Sequence, residues 1–72
     1  MEKVVIKTEY ITLGQLLKFA SIVGSGGEVK IFLQSTDIFL NGELENRRGK
    51  KIYPGDQVRI EYTTYLIESD ET

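Results

Sequence analysis

The spacing of the apolar residues changes along the chain, and this change restricts the possible folds more than any other feature. After residue 12 the apolar residues recur at helical spacing, at Leu13, Leu16, Leu17, Ala20 and Val23. This spacing predicts a helix over 13–23, with Thr12 as its N-cap residue. After residue 57, in contrast, Val58, Ile60 and Tyr62 alternate with charged residues, as they do in a strand that buries one face. The sequence therefore predicts helices that are followed by a sheet.

Glycine and proline residues mark the predicted turns between these elements. The segment 24–27, Gly-Ser-Gly-Gly, is expected to end the first helix, because glycine tolerates the left-handed geometry of helix termination. A second helix is predicted over 27–34. Asn41-Gly42 predicts a two-residue type I′ hairpin, since that turn needs positive φ at both central residues. The Pro-Gly pair within 53–56 predicts another turn.

Strands complete the predicted fold. A short β-branched segment at 3–7 is expected at one edge of the sheet. Residues 38–40 and 43–45 form the two arms of the hairpin, and a last long strand runs from Val58 toward Ile67. The element order is β-α-α-β-β-β. The predicted fold is therefore α+β, with two N-terminal helices packed on a small, mostly antiparallel sheet.

Length and composition limit the classes of protein to which the chain can belong. Seventy-two residues make a single domain, 1–72, which leaves little room for a buried catalytic cleft. The chain has no cysteine and no histidine, which removes disulfides, thiolate metal sites and the commonest general base. No apolar segment approaches the length of a membrane span. We therefore expect a non-enzymatic, cytoplasmic monomer without a cofactor, a metal ion or a small-molecule substrate.

The charged residues are distributed unevenly along the chain. The formal net charge is −2 and the pI is about 5.0, which argues against nucleic-acid binding, because phosphates favour a positive field. Acidic residues, however, are concentrated in a C-terminal tail at 68–72. Four basic residues fall within five positions, at Arg47, Arg48, Lys50 and Lys51. The segment 46–51 is called the basic loop below; on composition alone, such a run of charge is more often a solvated turn.

Two short motifs after the predicted helices resemble a known family. Residues 39–43, Phe-Leu-Asn-Gly-Glu, and residues 54–58, Pro-Gly-Asp-Gln-Val, are similar to the alpha-L RNA-binding motif, the S-four-type domain named after a ribosomal small-subunit protein. The segments 11–15, 25–27 and 46–51 resemble its small stand-alone YaaA-like subgroup. The motif core spans about 11–62. The resemblance implies that the two helices and the hairpin clasp structured RNA, such as ribosomal RNA or a ribosome precursor, through its backbone.

The resemblance also implies a set of RNA-binding residues: Lys18, Gly26, Gly27, Lys30, Arg47, Arg48, Lys50 and Lys51. The two glycines open the second helix, where free backbone N–H groups can bind a phosphate. In the basic loop, arginine offers a planar fork of donors, and lysine offers a mobile charge. The tyrosines are expected to pack at the edge of the core rather than to stack on bases: Tyr10, Tyr53, Tyr62 and Tyr65.

Two other interpretations are open at this point. A β-grasp sulfur carrier also has an Asn-Gly hairpin and a Gly-Asp turn, but it requires a C-terminal Gly-Gly, and this sequence ends with Ser69-Asp70-Glu71-Thr72. A protein–protein adaptor of β-grasp-like α+β type, without nucleic-acid binding, is consistent with the acidic tail and the low pI. Two consecutive N-terminal helices would favour the RNA-binding motif over the β-grasp fold.

Overall fold

The computed structural model describes residues 1–70, so part of the predicted acidic tail, residues 71 and 72, lies outside the described residues. The elements are β1 (Glu2–Ile6), β2 (Ile11–Thr12), α1 (Leu13–Phe19), α2 (Gly26–Ser35), β3 (Ile38–Leu40), β4 (Glu43–Leu44), β5 (Lys51–Ile52), β6 (Gln57–Ile60) and β7 (Thr63–Ser69). The predicted α+β class is confirmed. The two helices follow one another directly, which is the arrangement that favours the RNA-binding motif over the β-grasp fold.

Most strands join one mixed sheet. Its order is β1-β7-β6-β3-β4, in which β1 runs parallel to β7 and the other neighbours are antiparallel. The predicted position of the first strand at a sheet edge is confirmed. A hydrophobic core joins this sheet to both helices; it comprises Val4, Ile6, Leu13, Leu16, Leu17, Val23, Val29, Leu33, Ile38, Ile52, Val58, Ile60 and Ile67.

The predicted Asn-Gly and Pro-Gly turns are confirmed by their backbone geometry. Asn41 and Gly42 have φ values of 50° and 86°, as a type I′ hairpin requires. Gly55 has a φ of 98°, and the Asp56 N–H donates to the Tyr53 carbonyl at 3.0 Å, which closes the Pro-Gly turn. The Asn41 side chain links the two turns, because its Nδ2 donates to Asp56 Oδ1 at 3.0 Å and its Oδ1 accepts from the Gln57 N–H at 2.9 Å.

The prediction that the first helix continues to Val23 is wrong, because α1 ends at Phe19. Ser21 takes the left-handed conformation, with a φ of 60°. The Ile22 N–H then donates to the Leu17 carbonyl at 2.9 Å, and the Ser21 N–H donates to the Lys18 carbonyl at 3.0 Å. These two bonds form a Schellman termination in which serine occupies the position that glycine usually takes. The Gly-Ser-Gly-Gly segment lies further along the chain and leads into α2.

The single long strand predicted from Val58 toward Ile67 is also wrong. The chain reverses at Glu61 and Tyr62, so that Ile60 pairs with Thr63 and β6 forms a hairpin with β7. Glu61 has a φ of 56°. Glycine, asparagine or aspartate at this position would have indicated a turn with positive φ, but glutamate does not. This reversal lets β7 pair with β6 on one side and with β1 on the other.

The element order also differs from the prediction at a two-stranded ladder. Two strands, β1 and β2, precede the helices, and β2 pairs antiparallel with β5 in a separate small sheet. Lys51, which the sequence places in the basic loop, is in β5 opposite Thr12. This pairing brings the end of the basic loop to the start of α1.

Candidate nucleic-acid interface

The N-terminus of α1 holds the basic loop in place through the loop's own backbone. The Leu13 N–H donates to the Lys50 carbonyl, and the Gly14 N–H donates to the Arg48 carbonyl, each at 2.9 Å. The first N–H groups of a helix lack partners within the helix, so the loop supplies the missing acceptors. A Cβ at position 14 would lie 3.4 Å from the Arg48 carbonyl oxygen and 3.4 Å from Val29 Cγ1, so glycine permits this close approach.

The N-cap of α1 uses a reciprocal pair of hydrogen bonds. The Gln15 N–H donates to Thr12 Oγ1 at 3.2 Å, and the Thr12 N–H donates to Gln15 Oε1 at 2.8 Å. Such a capping box provides acceptors for two backbone N–H groups, that of Gln15 in the first turn of α1 and that of the N-cap residue Thr12. The prediction of Thr12 as N-cap is confirmed. The basic loop therefore rests against a helix end whose position is fixed by both backbone and side-chain bonds.

Arg48 and Lys30 line one groove between α2 and the β3–β4 hairpin. The groove has a volume of about 590 Å³, and its lining residues are Lys30, Leu33, Gln34, Thr36, Asp37, Leu44, Asn46 and Arg48. We call it the Arg48 groove. Arg48 also approaches the start of α2, since a Cβ on Gly26 would lie 3.8 Å from its Nη2 atom. The structure thus brings Lys30, Arg48 and Gly26 of the predicted set together.

Gly26 and Gly27 are the first two residues of α2, so their N–H groups precede the intrahelical hydrogen bonds. The N-cap residue, Ser25, makes no side-chain capping bond within the part of the chain that the structure describes. Glu28 is the acidic residue of the first turn, and its Oε2 accepts from the Gly24 N–H at 3.1 Å. The Glu28 carboxylate therefore bonds to the segment before the helix, and its negative charge offsets part of the partial positive charge at the start of α2.

Arg47 is committed to an intramolecular ion pair. Its Nε, Nη2 and backbone N–H donate to the Glu45 carboxylate at 2.9, 3.0 and 3.0 Å. The Arg47 side chain is 70% exposed, whereas that of Glu45 is 11% exposed. The side-chain hydrogen bonds from Arg47 lower the pKa of Glu45 from its ordinary value of 4.5 to about 2, and the same contact raises the pKa of Arg47. Much of the charge of Arg47 is therefore balanced locally.

The other predicted basic residues lie in different surroundings. Lys51 Nζ lies 4.9 Å from the centre of the Tyr10 ring, as in a cation–π contact. Lys50 lines a small cleft of about 310 Å³ beside the hairpin, together with Glu43, Glu45 and Arg47. Lys18 is exposed on α1, four residues after Gly14, and so lies one turn from the residue that contacts Arg48. The basic loop is therefore not one uniform patch of positive charge.

A family model described as the S4 domain matches residues 4–68. This chain belongs to the S4 domain family. A relative from Bacillus subtilis (strain 168), named "Probable ribosome maturation protein RlbA", is 54% identical over 56 residues, which cover 78% of this chain and 79% of that protein. The family resemblance inferred from the two motifs is confirmed.

The S4 domain match is longer than the motif core of about 11–62 that the sequence predicted. It includes residues 4–6 of β1 and residues 63–68 of β7, two strands that pair with each other at one side of the sheet. The sequence did not predict this pairing, because neither Glu61 nor Tyr62 is a residue type that indicates a reversal of the chain. The parallel β1–β7 pair is thus part of the S4 domain of this chain.

Several groove residues of this S4 domain were not in the predicted set. Gln34 lies four residues after Lys30 and therefore on the same face of α2, so helical spacing could have found it. Leu44 and Asn46 reach the groove only because β4 and the basic loop fold beside α2. No local signal in the sequence marks these two residues. Across residues 1–70 there is no cluster of three or more potential metal ligands and no helix that could span a membrane.

Proposed function

We propose that this S4 domain binds structured RNA without catalysing a reaction, and that its ligand is ribosomal RNA or a ribosome precursor. The observation that carries the proposal is that Arg48 and Lys30 line one groove, and that Arg48 also lies beside Gly26 at the start of α2. Membership of the S4 domain family supports RNA as the ligand. The name of the Bacillus subtilis relative, a probable ribosome maturation protein, supports a ribosomal source and hence a cytoplasmic location.

The chemistry of the groove suits a phosphate backbone. Arg48 offers a planar fork of donors, and Lys30 offers a single mobile ammonium group. Gly26, at the start of α2, lies beside Arg48 but does not line the groove, and its backbone N–H is a donor that does not titrate. Asp37 is the acidic residue among those that line the groove, so the lining residues carry two positive charges and one negative charge. A groove of this kind attracts phosphates by electrostatics and releases counterions from the RNA.

The same groove favours recognition of shape over base identity. Among residues 1–70, those that line it include no aromatic side chain on which a base could stack. Its walls are a helix and a short hairpin, which are rigid elements. Double-stranded RNA presents a wide minor groove with 2′-hydroxyl groups and phosphates, and proteins recognise it mainly through this geometry. We therefore expect a folded stem or junction to bind better than a single strand.

The test is a competition titration with a hairpin RNA at fixed, near-physiological salt. Changing Lys30→Gln together with Arg48→Gln should weaken binding by roughly twentyfold or more, because each lost phosphate contact removes about 0.9 from the log–log salt slope. The matched control is Lys3→Gln with Lys7→Gln. Lys3 is exposed on β1, Lys7 is exposed just after it, and β1 lies at the sheet edge opposite β4. This control should bind as the parent does.

Two further comparisons separate the proposal from its alternatives. Single-stranded DNA of equal length should compete poorly, and exchanging base pairs within the stem should change little. Lys18→Gln should also weaken stem binding if α1 forms part of the same face. Equal competition by single-stranded DNA would reduce the groove to a nonspecific polyanion site. Absence of binding to every nucleic acid would refute the proposal and favour the protein–protein adaptor.

A further inference from the structure

A second cleft, with aromatic walls, lies along α1. It has a volume of about 510 Å³ and is lined by Thr8, Glu9, Tyr10, Ile11, Gln15 and Phe19. We call it the aromatic cleft. Gln15 and Phe19 lie one turn apart on α1, and Gln15 directly follows Gly14, whose N–H donates to the basic loop. The aromatic cleft is therefore adjacent to the proposed interface but distinct from the Arg48 groove.

Both aromatic walls are held by neighbouring structure. The Tyr10 ring packs against Tyr53, with ring centroids 5.6 Å apart, and lies below Lys51 Nζ. Phe19 ends α1, and the Schellman bonds at Ser21 and Ile22 fix the backbone there. The Phe19 side chain is nevertheless 63% exposed. A large ring on a fixed backbone, open to solvent on a cleft, is suited to stacking on a flat ligand.

The surroundings of the cleft indicate what kind of flat ligand fits. Lys51 lies over Tyr10, the exposed Lys18 directly precedes Phe19 on α1, and Glu9 is the acidic residue among those that line the cleft. Gln15 Oε1 already accepts from the Thr12 N–H, which leaves its amide group free to donate to a ligand. Aromatic walls, hydrogen-bonding groups at the rim and flanking cations are together the chemistry that binds a nucleobase with its phosphates. An apolar side chain of a protein partner would use only the walls.

We propose that the aromatic cleft binds one unpaired nucleobase that flanks the RNA stem held in the Arg48 groove. Phe19 stacks on the base, Tyr10 forms the second wall, and Lys18 and Lys51 lie beside the flanking phosphates. This inference rests on the proposed function. It gives Tyr10 and Tyr53 a role beyond the packing at the core edge that the sequence predicts, since Tyr53 positions the Tyr10 ring.

The test compares RNAs that share one hairpin stem. The stem is tested alone and with three unpaired purine nucleotides placed as a 5′ extension, a 3′ extension or a bulge. Each of these three RNAs is also made with abasic nucleotides, which keep the phosphates and remove the bases. The intact protein should bind at least one base-containing RNA about 5- to 150-fold more tightly than its abasic form, as expected for one stacked base.

Two variants then assign that gain to the cleft. Phe19→Ala should abolish the difference between base-containing and abasic RNA while leaving affinity for the bare stem unchanged. The control is Tyr62→Ala, because Tyr62 is 98% exposed at the turn between β6 and β7 and does not line the cleft. That variant should keep the full difference.

The possible outcomes separate this inference from the proposed function. Equal affinity for base-containing and abasic forms of all three RNAs, with stem binding retained, would overturn the nucleobase assignment and leave the cleft to a protein partner. Loss of the difference in Tyr62→Ala but not in Phe19→Ala would place the stacking site at the β6–β7 turn and would also overturn it. Failure to bind any of these RNAs, including the bare stem, would instead refute the proposed function.

Discussion

The ion pair between Glu45 and Arg47 predicts that removing an acidic charge will strengthen RNA binding in a specific way. The Glu45 carboxylate accepts three hydrogen bonds from Arg47, at 2.9 to 3.0 Å. Glu45→Gln removes the charge that holds the guanidinium, and the 70% exposed Arg47 side chain then becomes available to a phosphate of bound RNA. One added phosphate contact steepens the salt slope by about 0.9 and strengthens binding roughly fivefold at about 0.15 M salt.

The measurement is a titration of hairpin RNA at several salt concentrations, with controls that isolate Arg47. Glu43→Gln removes the same charge from an exposed neighbour on β4 that lines the same small cleft. It should change affinity less and leave the salt slope unchanged. Arg47→Gln alone should weaken binding by less than Arg48→Gln, because Glu45 already balances Arg47. The double variant Glu45→Gln, Arg47→Gln should lose the gain of Glu45→Gln. A Glu45→Gln protein that binds no more tightly than Glu43→Gln would refute the reasoning.

Two further predictions concern stability. Ser21→Gly should raise the free energy of unfolding by about 0.5–1 kcal/mol, because the left-handed φ of 60° strains serine and not glycine. In urea denaturation, Ala20→Gly should instead lower the stability. Ala20 has a φ of −82°, which does not strain alanine, so glycine relieves no strain there. Equal effects of the two changes would contradict the argument. The pKa of Glu45 is about 2 in the folded protein and has an ordinary value of 4.5, so the ion pair contributes fully above about pH 4.5 and is lost as the pH falls toward 2. The urea midpoint of the parent should therefore fall more than that of Glu45→Gln over this range, and parallel curves would show that the pair adds no stability.

The elements that the sequence predicts correctly carry their signal in residues next to one another. Asn41-Gly42 adopts the turn because both residues tolerate positive φ. Thr12 caps α1 because its hydroxyl reaches the N–H group three residues later. Neither feature depends on the rest of the fold, so local reasoning is sufficient. The same holds for the Pro-Gly turn that ends at Asp56.

The elements that were missed place ordinary residues in conformations that only the tertiary structure explains. Ser21 ends α1 and Glu61 begins the β6–β7 turn, both with positive φ and without glycine. At Ser21 the strain is offset because Leu17 is part of the hydrophobic core and Ile22 packs against that core. At Glu61 the reversal lets β7 pair along its length with β1. Each conformation is stabilised by tertiary contacts, so a short segment of the sequence does not reveal it.

The candidate site shows the same division between local and tertiary information. Helical spacing places Lys30 and Gln34 on one face of α2, and that inference needs no structure. The sequence presents Arg47 and Arg48 as equivalent neighbours, yet one pairs with Glu45 and the other lines the groove beside α2. The difference follows from the bond between the Gly14 N–H and the Arg48 carbonyl, which fixes the direction of the loop. Residue type alone does not distinguish the two arginines.

The net charge of −2 counts every ionised side chain equally, although these side chains lie in different surroundings. Among residues 1–70, three carboxylates accept hydrogen bonds from other residues: Glu28 from the Gly24 N–H, Glu45 from Arg47, and Asp56 from the Tyr53 N–H and from Asn41. N–H dipoles directed at a carboxylate compensate part of its field, so these acids repel RNA less than free ones do. Arg48 and Lys30, by contrast, form no ion pair within residues 1–70 and face a groove. A phosphate therefore meets a local potential set by the open cations rather than by the total charge, which is how a chain with a pI of about 5.0 can bind RNA.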